Sequence, residues 1–259
     1  KTQSISEITL RDYLSGSSDK VLKEGYAVSS FWSYNFKGIN PNDGSPEYNL
    51  LFEQDEQGDY VRNEDNNLVL REISDYTDLL VYSGKTEPDF TGGLTTRLRW
   101  KGLTFGANFS LLLGAKKRLP NPYPASGNIP LSNVNLSKDL KKRWKVPGDE
   151  KNTNIPGVYA GRIPNMINLQ DGKSYNVYDM WGQSDVMVVN ADFLRCQQMS
   201  LTWNMNEEWC AKIGVKSLSL NAIMNNVFVI ADKKFHGFDP ELGDSVQPKT
   251  YSFGVTVGF

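Results

Sequence analysis

Tyr251-Ser-Phe-Gly-Val-Thr-Val-Gly-Phe259 is the stretch on which the fold turns. Tyr251, Phe253, Val255, Val257 and Phe259 take every second position, with Ser252, Gly254, Thr256 and Gly258 between them. A period of two sends the first set to one face of a strand and the second set to the other. A strand of a soluble sandwich alternates in the same way, so the pattern needs support from elsewhere. That support is the aromatic Phe259 at its end and the recurrence of the design at membrane length, since a transmembrane strand needs about 9–11 tilted residues. The stretch reads as the closing strand of an outer-membrane β-barrel.

The clearest hairpin lies between Gly92 and Gly114. Leu94, Thr96, Leu98 and Trp100 form one row, and Thr95, Arg97, Arg99 and Lys101 the other. A tight turn at Lys101-Gly102 leads into a return strand with Leu103, Phe105, Ala107, Phe109, Leu111 and Leu113 on one side. Thr104, Gly106, Asn108 and Ser110 take its other side. Eleven alternating residues are long against the roughly 5–6 of soluble strands. Three cations in a row would be costly in a dry core, because an unpaired buried charge is strongly disfavoured. In a water-filled lumen they sit well, so Arg97, Arg99 and Lys101 are the lumen-lining candidates, with simple solvation as the plainer reading of their charges.

A second hairpin sets Met199, Leu201, Trp203 and Met205 against Gln198, Ser200, Thr202 and Asn204. A polar connection, Glu207 to Lys212, leads to Leu218, Leu220, Ala222 and Met224 opposite Ser217, Ser219 and Asn221. Trp100 and Trp203 stand near strand ends, where an aromatic girdle would place them. The turns at 101–102 and 207–212 are short, and the connections 115–190 and 231–249 are long. Barrels of the outer membrane pair short periplasmic turns with long extracellular loops, which puts the end of the chain on the periplasmic side. A connection of about 75 residues argues for function. Tyr175 and Tyr178 in that loop, and Phe235, His236 and Phe238 in the other, are the loop ligand candidates; a solvated flap and rim packing are the plainer readings. Leu136 to Trp144 reads as a short amphipathic helix, and Tyr26 to Phe36 as a further strand.

The composition narrows the class. A net charge of -2 over 259 residues offers nucleic acid no basic face. No run of 18 apolar residues exists, which excludes a transmembrane helix. The opening Lys1-Thr2-Gln3-Ser4 lacks a Met, as expected of a processed chain or a fragment. Cys196 and Cys210 are too few for a disulfide scaffold. About ten extended residues would hold them ~30 Å apart, far beyond the roughly 7 Å that a disulfide tolerates. His236 is the lone histidine, and no G-x-S-x-G elbow accompanies it. The acidic run from Asp55 to Asp78 lacks the D-x-D-x-D-G spacing of a calcium loop. Neither an enzyme nor a cofactor or metal site is expected.

In order along the chain, several pieces resemble the C-terminal part of SusC/RagA-type TonB-dependent transporters. They are Glu24-Gly-Tyr-Ala-Val-Ser-Ser-Phe-Trp-Ser-Tyr34 with Lys37-Gly-Ile39, then Gly84, Pro88 and Thr91-Gly-Gly93. Trp100-Lys-Gly-Leu-Thr-Phe105, Arg143-Trp-Lys-Val-Pro-Gly-Asp149 and Ala191-Asp-Phe-Leu-Arg195 follow. Asn225-Asn-Val-Phe228, Gly237-Phe-Asp-Pro-Glu241 and the Tyr251–Phe259 strand complete the set. Between Tyr60 and Asp78, where the family often carries an Asp/Asn/Gly-rich run, the chain departs from it with Asn63-Glu-Asp-Asn-Asn67. The resemblance implies that residues 1–259 are the C-terminal portion of an all-β, antiparallel transmembrane barrel of about 22 strands with long extracellular loops. It implies active import of an oligosaccharide or peptide across the cell outer membrane. The implied partners are the remaining N-terminal barrel and plug segment, a SusD-like surface lipoprotein, TonB and outer-membrane lipid. A secreted β-sandwich that binds glycans and a passive porin are the competing functions.

Overall fold

A computed structural model describes residues 13–14, 23–50, 52–64, 68–69, 76–123, 136–158, 166–168, 174–243 and 245–259. Its first strands are β1 (Ser30–Tyr34), β2 (Phe36–Ile39), β3 (Pro46–Tyr48), β4 (Leu68–Val69) and β5 (Leu80–Lys85). The long hairpin β6 (Phe90–Trp100) and β7 (Leu103–Leu113) follows, then β8 (Lys116–Arg118), β9 (Met166–Asn168), β10 (Ser174–Asn176) and β11 (Val188–Asn190). The last three are β12 (Phe193–Asn204), β13 (Ser217–Ala231) and β14 (Thr250–Gly258). Among the described residues, no helix is long and apolar enough to cross a membrane. The chain divides into two compact units, one of residues 1–86 and 117–188, the other of residues 87–116 and 189–259.

The second unit is built on one antiparallel sheet of five strands in the order β14-β13-β12-β7-β6. Residues paired across neighbouring strands share a face, so the register sorts the side chains. Leu98 faces Phe105, Phe105 faces Leu201, Leu201 faces Ala222 and Ala222 faces Phe253. This rung and those beside it make one continuous apolar face. That face is open: Leu98 is 67% exposed and Phe253 83%. An apolar surface this broad is foreign to a soluble monomer, and it is the surface that lipid covers on a barrel wall. The turn Lys101-Gly102 has φ of 44° and 84°, which is the left-handed pair that a two-residue hairpin turn demands. A Cβ on Gly102 would stand 2.6 Å from the carbonyl oxygen of Asn204, so glycine is needed there for both space and conformation. The connection from β12 to β13 is a short helix, Glu207–Lys212, whose N-cap Asn206 accepts the Trp209 N–H. Because Ser217 pairs with Gly258 and Trp100 with Leu103, the short turns and the end of β14 lie at one end of the sheet, as the connection lengths predict.

Alternation along β12 is not continuous. Between Cys196 and Gln198 the register shifts against both neighbours. Below this bulge Met199, Leu201 and Trp203 lie on the apolar face; above it Leu194 and Cys196 do, opposite Leu111 and Phe109. On β13 the compensating irregularity falls at Asn226, with φ of 53°. Both cysteines are free and buried.

The first unit has its own core of Tyr34, Tyr48, Leu80, Tyr123, Tyr178 and Trp181 with their neighbours. The helix Val177–Gly182 is capped by Asn176, whose side chain accepts the Tyr178 N–H. Tyr123 meets Tyr178 and Trp181 edge-on at 5.6 and 5.7 Å. The Tyr123 hydroxyl donates to the Pro156 carbonyl at 2.5 Å and the Tyr178 hydroxyl to Gly157 at 2.8 Å. Burial raises the Tyr48 phenol well above its ordinary value, helped by Tyr34, Tyr178 and Asp179. Two expectations are corrected here. The stretch 26–36, read as one strand, forms β1 only from Ser30 to Tyr34, every residue of it buried, with β2 beginning at Phe36. The span 136–144 contains a 3-10 turn, Lys138–Lys142, with Leu140 buried, because five residues pinned by the Ser137 cap are too few for an amphipathic helix. Of the acidic stretch 55–78, Asp65, Glu72 and Asp75 lie outside the described residues.

Candidate functional site

The polar face of the five-stranded sheet carries the sequence candidates Arg97 and Arg99. Arg97 pairs with Gly106 and Arg99 with Thr104. Gly106 in turn faces Ser200, and Thr104 faces Thr202, so both guanidiniums rise beside small neighbours and are exposed. Lys101, the last of their row, is also the first residue of the tight turn, where the sequence places it. Its ammonium lies 5.2 Å from the centre of the Trp100 ring.

One rung above Arg97, an amide ladder crosses four strands. The Asn108 side chain donates to Gln198 at 3.3 Å, Gln198 donates to Asn225 at 3.1 Å, and Asn225 donates to the Thr250 hydroxyl at 3.0 Å. Every bond runs in the same direction, and the ladder sits where β12 bulges. A chain of oriented side-chain amides suits a face in contact with water, where the remaining N–H groups keep partners.

Above the ladder, the connection between β13 and β14 folds back toward the polar face. Arg195 is 2% exposed and holds Asp239 through two parallel hydrogen bonds of 2.6 and 2.8 Å. The same guanidinium also donates to Glu241. Burial raises the Asp239 carboxyl, but the bonds from Arg195 and the Glu241 backbone together outweigh it and leave the group below the ordinary aspartate value. Beside this pair is a cleft of about 400 Å³ lined by Arg195, Asn226, Lys233, Phe238, Val246 and Lys249, among others. Of the loop candidates, Phe235 and Phe238 line this cleft and His236 does not. Phe235 is buried, His236 is exposed in a left-handed conformation, and Phe238 is half-exposed on the cleft. Tyr175 and Tyr178 belong to the other unit, Tyr178 fully buried in its core and Tyr175 packed against it.

Arg195 and Asp239 were not singled out from the sequence. Each sat inside a quoted motif, yet a spacing of 44 residues carries no mark of contact. The usable signal was the change of phase in β12, where an arginine falls on the apolar row if the alternation of Met199 to Trp203 is run backwards. Among the described residues, no cluster of His, Cys, Asp and Glu is suited to a metal ion.

No family model matches the chain. Over 244 residues it is 25% identical to TonB-dependent receptor P3 of Formosa agariphila, covering 92% of this chain and 21% of that protein. The chain also superposes on one chain of the RagAB peptide importer in its closed-closed state, with a TM-score of 0.55 and 23% identity over 89% of its length. The structure of the RagAB peptide transporter gives a TM-score of 0.57 at 22% identity. This chain is similar to a fragment of a TonB-dependent, SusC/RagA-type transporter. The likeness read from the ordered motifs and the antiparallel barrel fold are thus borne out. The chain spans about a fifth of the length of the curated relative it matches. Its place is the outer membrane.

Proposed function

We propose that the chain is the C-terminal wall of an importer that carries a nutrient across the outer membrane under energy supplied through TonB. The observation that carries this reading is the five-stranded sheet: membrane-length strands, one face continuously apolar and open, the other polar with a row of arginines and an amide ladder. Among the described residues of that unit nothing covers the apolar face, as a sandwich would require. The two exposed edges of the sheet, β6 and β14, are joined by the rest of the barrel, since in lipid each backbone group needs an internal partner. Arg97 and Arg99 line the lumen, where carboxylates of the plug pair with them. The cleft with Phe238, Lys233 and Lys249 is the ligand contact of the mouth, and the likeness to a peptide importer favours a peptide over an oligosaccharide there. A SusD-like surface lipoprotein lids the mouth.

The test is uptake by cells carrying the full-length protein, with labelled oligopeptides and oligosaccharides in competition. Import that needs TonB and stops when the proton gradient is collapsed supports the reading. Passage that survives collapse makes the protein a passive pore, and failure to fractionate with the outer membrane overturns the reading altogether.

A further inference from the structure

Arg195 is the one charged residue of β12, a strand otherwise made of apolar and neutral polar side chains. Running the alternation of Met199, Leu201 and Trp203 upward places it on the lipid-side row. The register shift past Gln197 turns it to the polar face instead, paired with Ser110 and Val229. A bulge redirects the side chains beyond it, and here the redirected group is a guanidinium.

On that face Arg195 meets one carboxylate that organises the whole loop. Asp239 takes both parallel bonds from Arg195. The same carboxylate accepts the backbone N–H of Glu241 at 2.9 Å. The Asp239 N–H donates to the Ser245 carbonyl at 2.8 Å, and its own carbonyl accepts the Gly243 N–H at 2.7 Å. Arg195 also stacks 5.1 Å from the Phe193 ring. Lower on the loop a second tie joins the Asn226 side chain to the Pro248 carbonyl at 2.9 Å. Arg195, Asp239 and Asn226 all line the cleft.

We propose that Arg195 is the positioning residue of the mouth: by gripping Asp239 it fixes loop 232–249 on the polar face and so gives the ligand cleft its shape. This rests on the reading of that cleft as a ligand contact. A planar fork is required, because a lysine ammonium is a point charge and cannot make two parallel bonds to one carboxylate. Glu241, partly exposed, is an accessory partner.

The experiment is hydrogen exchange on the full-length protein in detergent, comparing Arg195→Met, Arg195→Lys, Asp239→Asn and Glu241→Gln with the parent. Amides of residues 237–245 are expected to exchange at least about tenfold faster in Arg195→Met and Asp239→Asn, because breaking a buried pair strands its partner. Arg195→Lys falls between, Glu241→Gln stays within about twofold, and the strand amides of β7, β12 and β13 hold in all four. Equal exchange of the loop in Asp239→Asn and the parent overturns the proposal. So does equal loss of the strand amides, which would make Arg195 a prop of the sheet. Should Arg195→Met fail to fold, Arg195→Lys and Asp239→Asn carry the test. A loop that loosens as described in a protein that imports nothing sinks the transport reading and leaves the latch; an unchanged loop in an importing protein sinks the latch alone.

Discussion

Asp239 shows how one residue couples charge to conformation. Its folded pKa lies below its unfolded value, so the stabilisation it provides is fully present above the ordinary carboxylate pKa of about 3.9 and is lost as the pH falls through the lowered folded value. Loop 232–249 is therefore expected to loosen only in acid below pH ~4, and Asp239→Asn should abolish that transition; exchange of the loop amides against pH reads it. Gly102 depends on space as well as on its backbone. Its φ of 84° and the Asn204 oxygen 2.6 Å from a built Cβ leave no room for a side chain. Gly102→Val is expected to cost about 1–3 kcal/mol, seen as a lower melting temperature of the folded barrel on gels. Both residues sat in the sequence as a glycine after a lysine and an aspartate before a proline. The turn was legible because its two-residue length and its glycine act locally. The aspartate's role was not, because its partner comes from a distant strand.

At the level of the strand, the two faces of one sheet should respond oppositely to charge. Leu201 and Thr202 are adjacent, yet Leu201 lies on the apolar rung with Phe105 and Ala222 while Thr202 faces Thr104 and Asn221. Leu201→Arg is expected to destabilise the membrane-inserted protein by about 1–2 kcal/mol, because two residues from the girdle at Trp203 the cost of a cation lies between its midplane and interfacial values. Thr202→Arg, facing water, should be near neutral; chemical unfolding in liposomes separates the two. Equal effects would mean that the greasy face meets no lipid. Gln198 joins Asn108 to Asn225, and Gln198→Leu should cost only about 0.5–1.5 kcal/mol because water replaces the lost bonds on a wet face. The alternation that reveals these faces is a local property of each strand, so β6, β7, β13 and β14 could be read directly. The bulge in β12 could not, since register exists only between strands.

For the whole chain, β6 and β14 each have a partner on one side only among the described residues. Residues 1–259 expressed without the remainder of the protein should therefore yield no heat-resistant barrel in detergent, and supplying the missing portion should restore it; a stable, monodisperse chain in plain buffer would sink the barrel assignment. The other unit rests on aromatic packing, and Trp181→Ala there should cost about 3–5 kcal/mol, read by unfolding of that unit. The amino-acid order alone determined which strands have a lipid side, where the tight turn lies and which family the motifs resemble, because alternation, turn chemistry and motif order are properties of neighbours along the chain. Tertiary structure decided the rest. Tyr178 went into a core instead of a ligand mouth because residues from both ends of its unit close over it. Arg195 found Asp239 because a single extra residue rotated one strand segment by half a pleat, a displacement that only pairing against β7 and β13 makes visible.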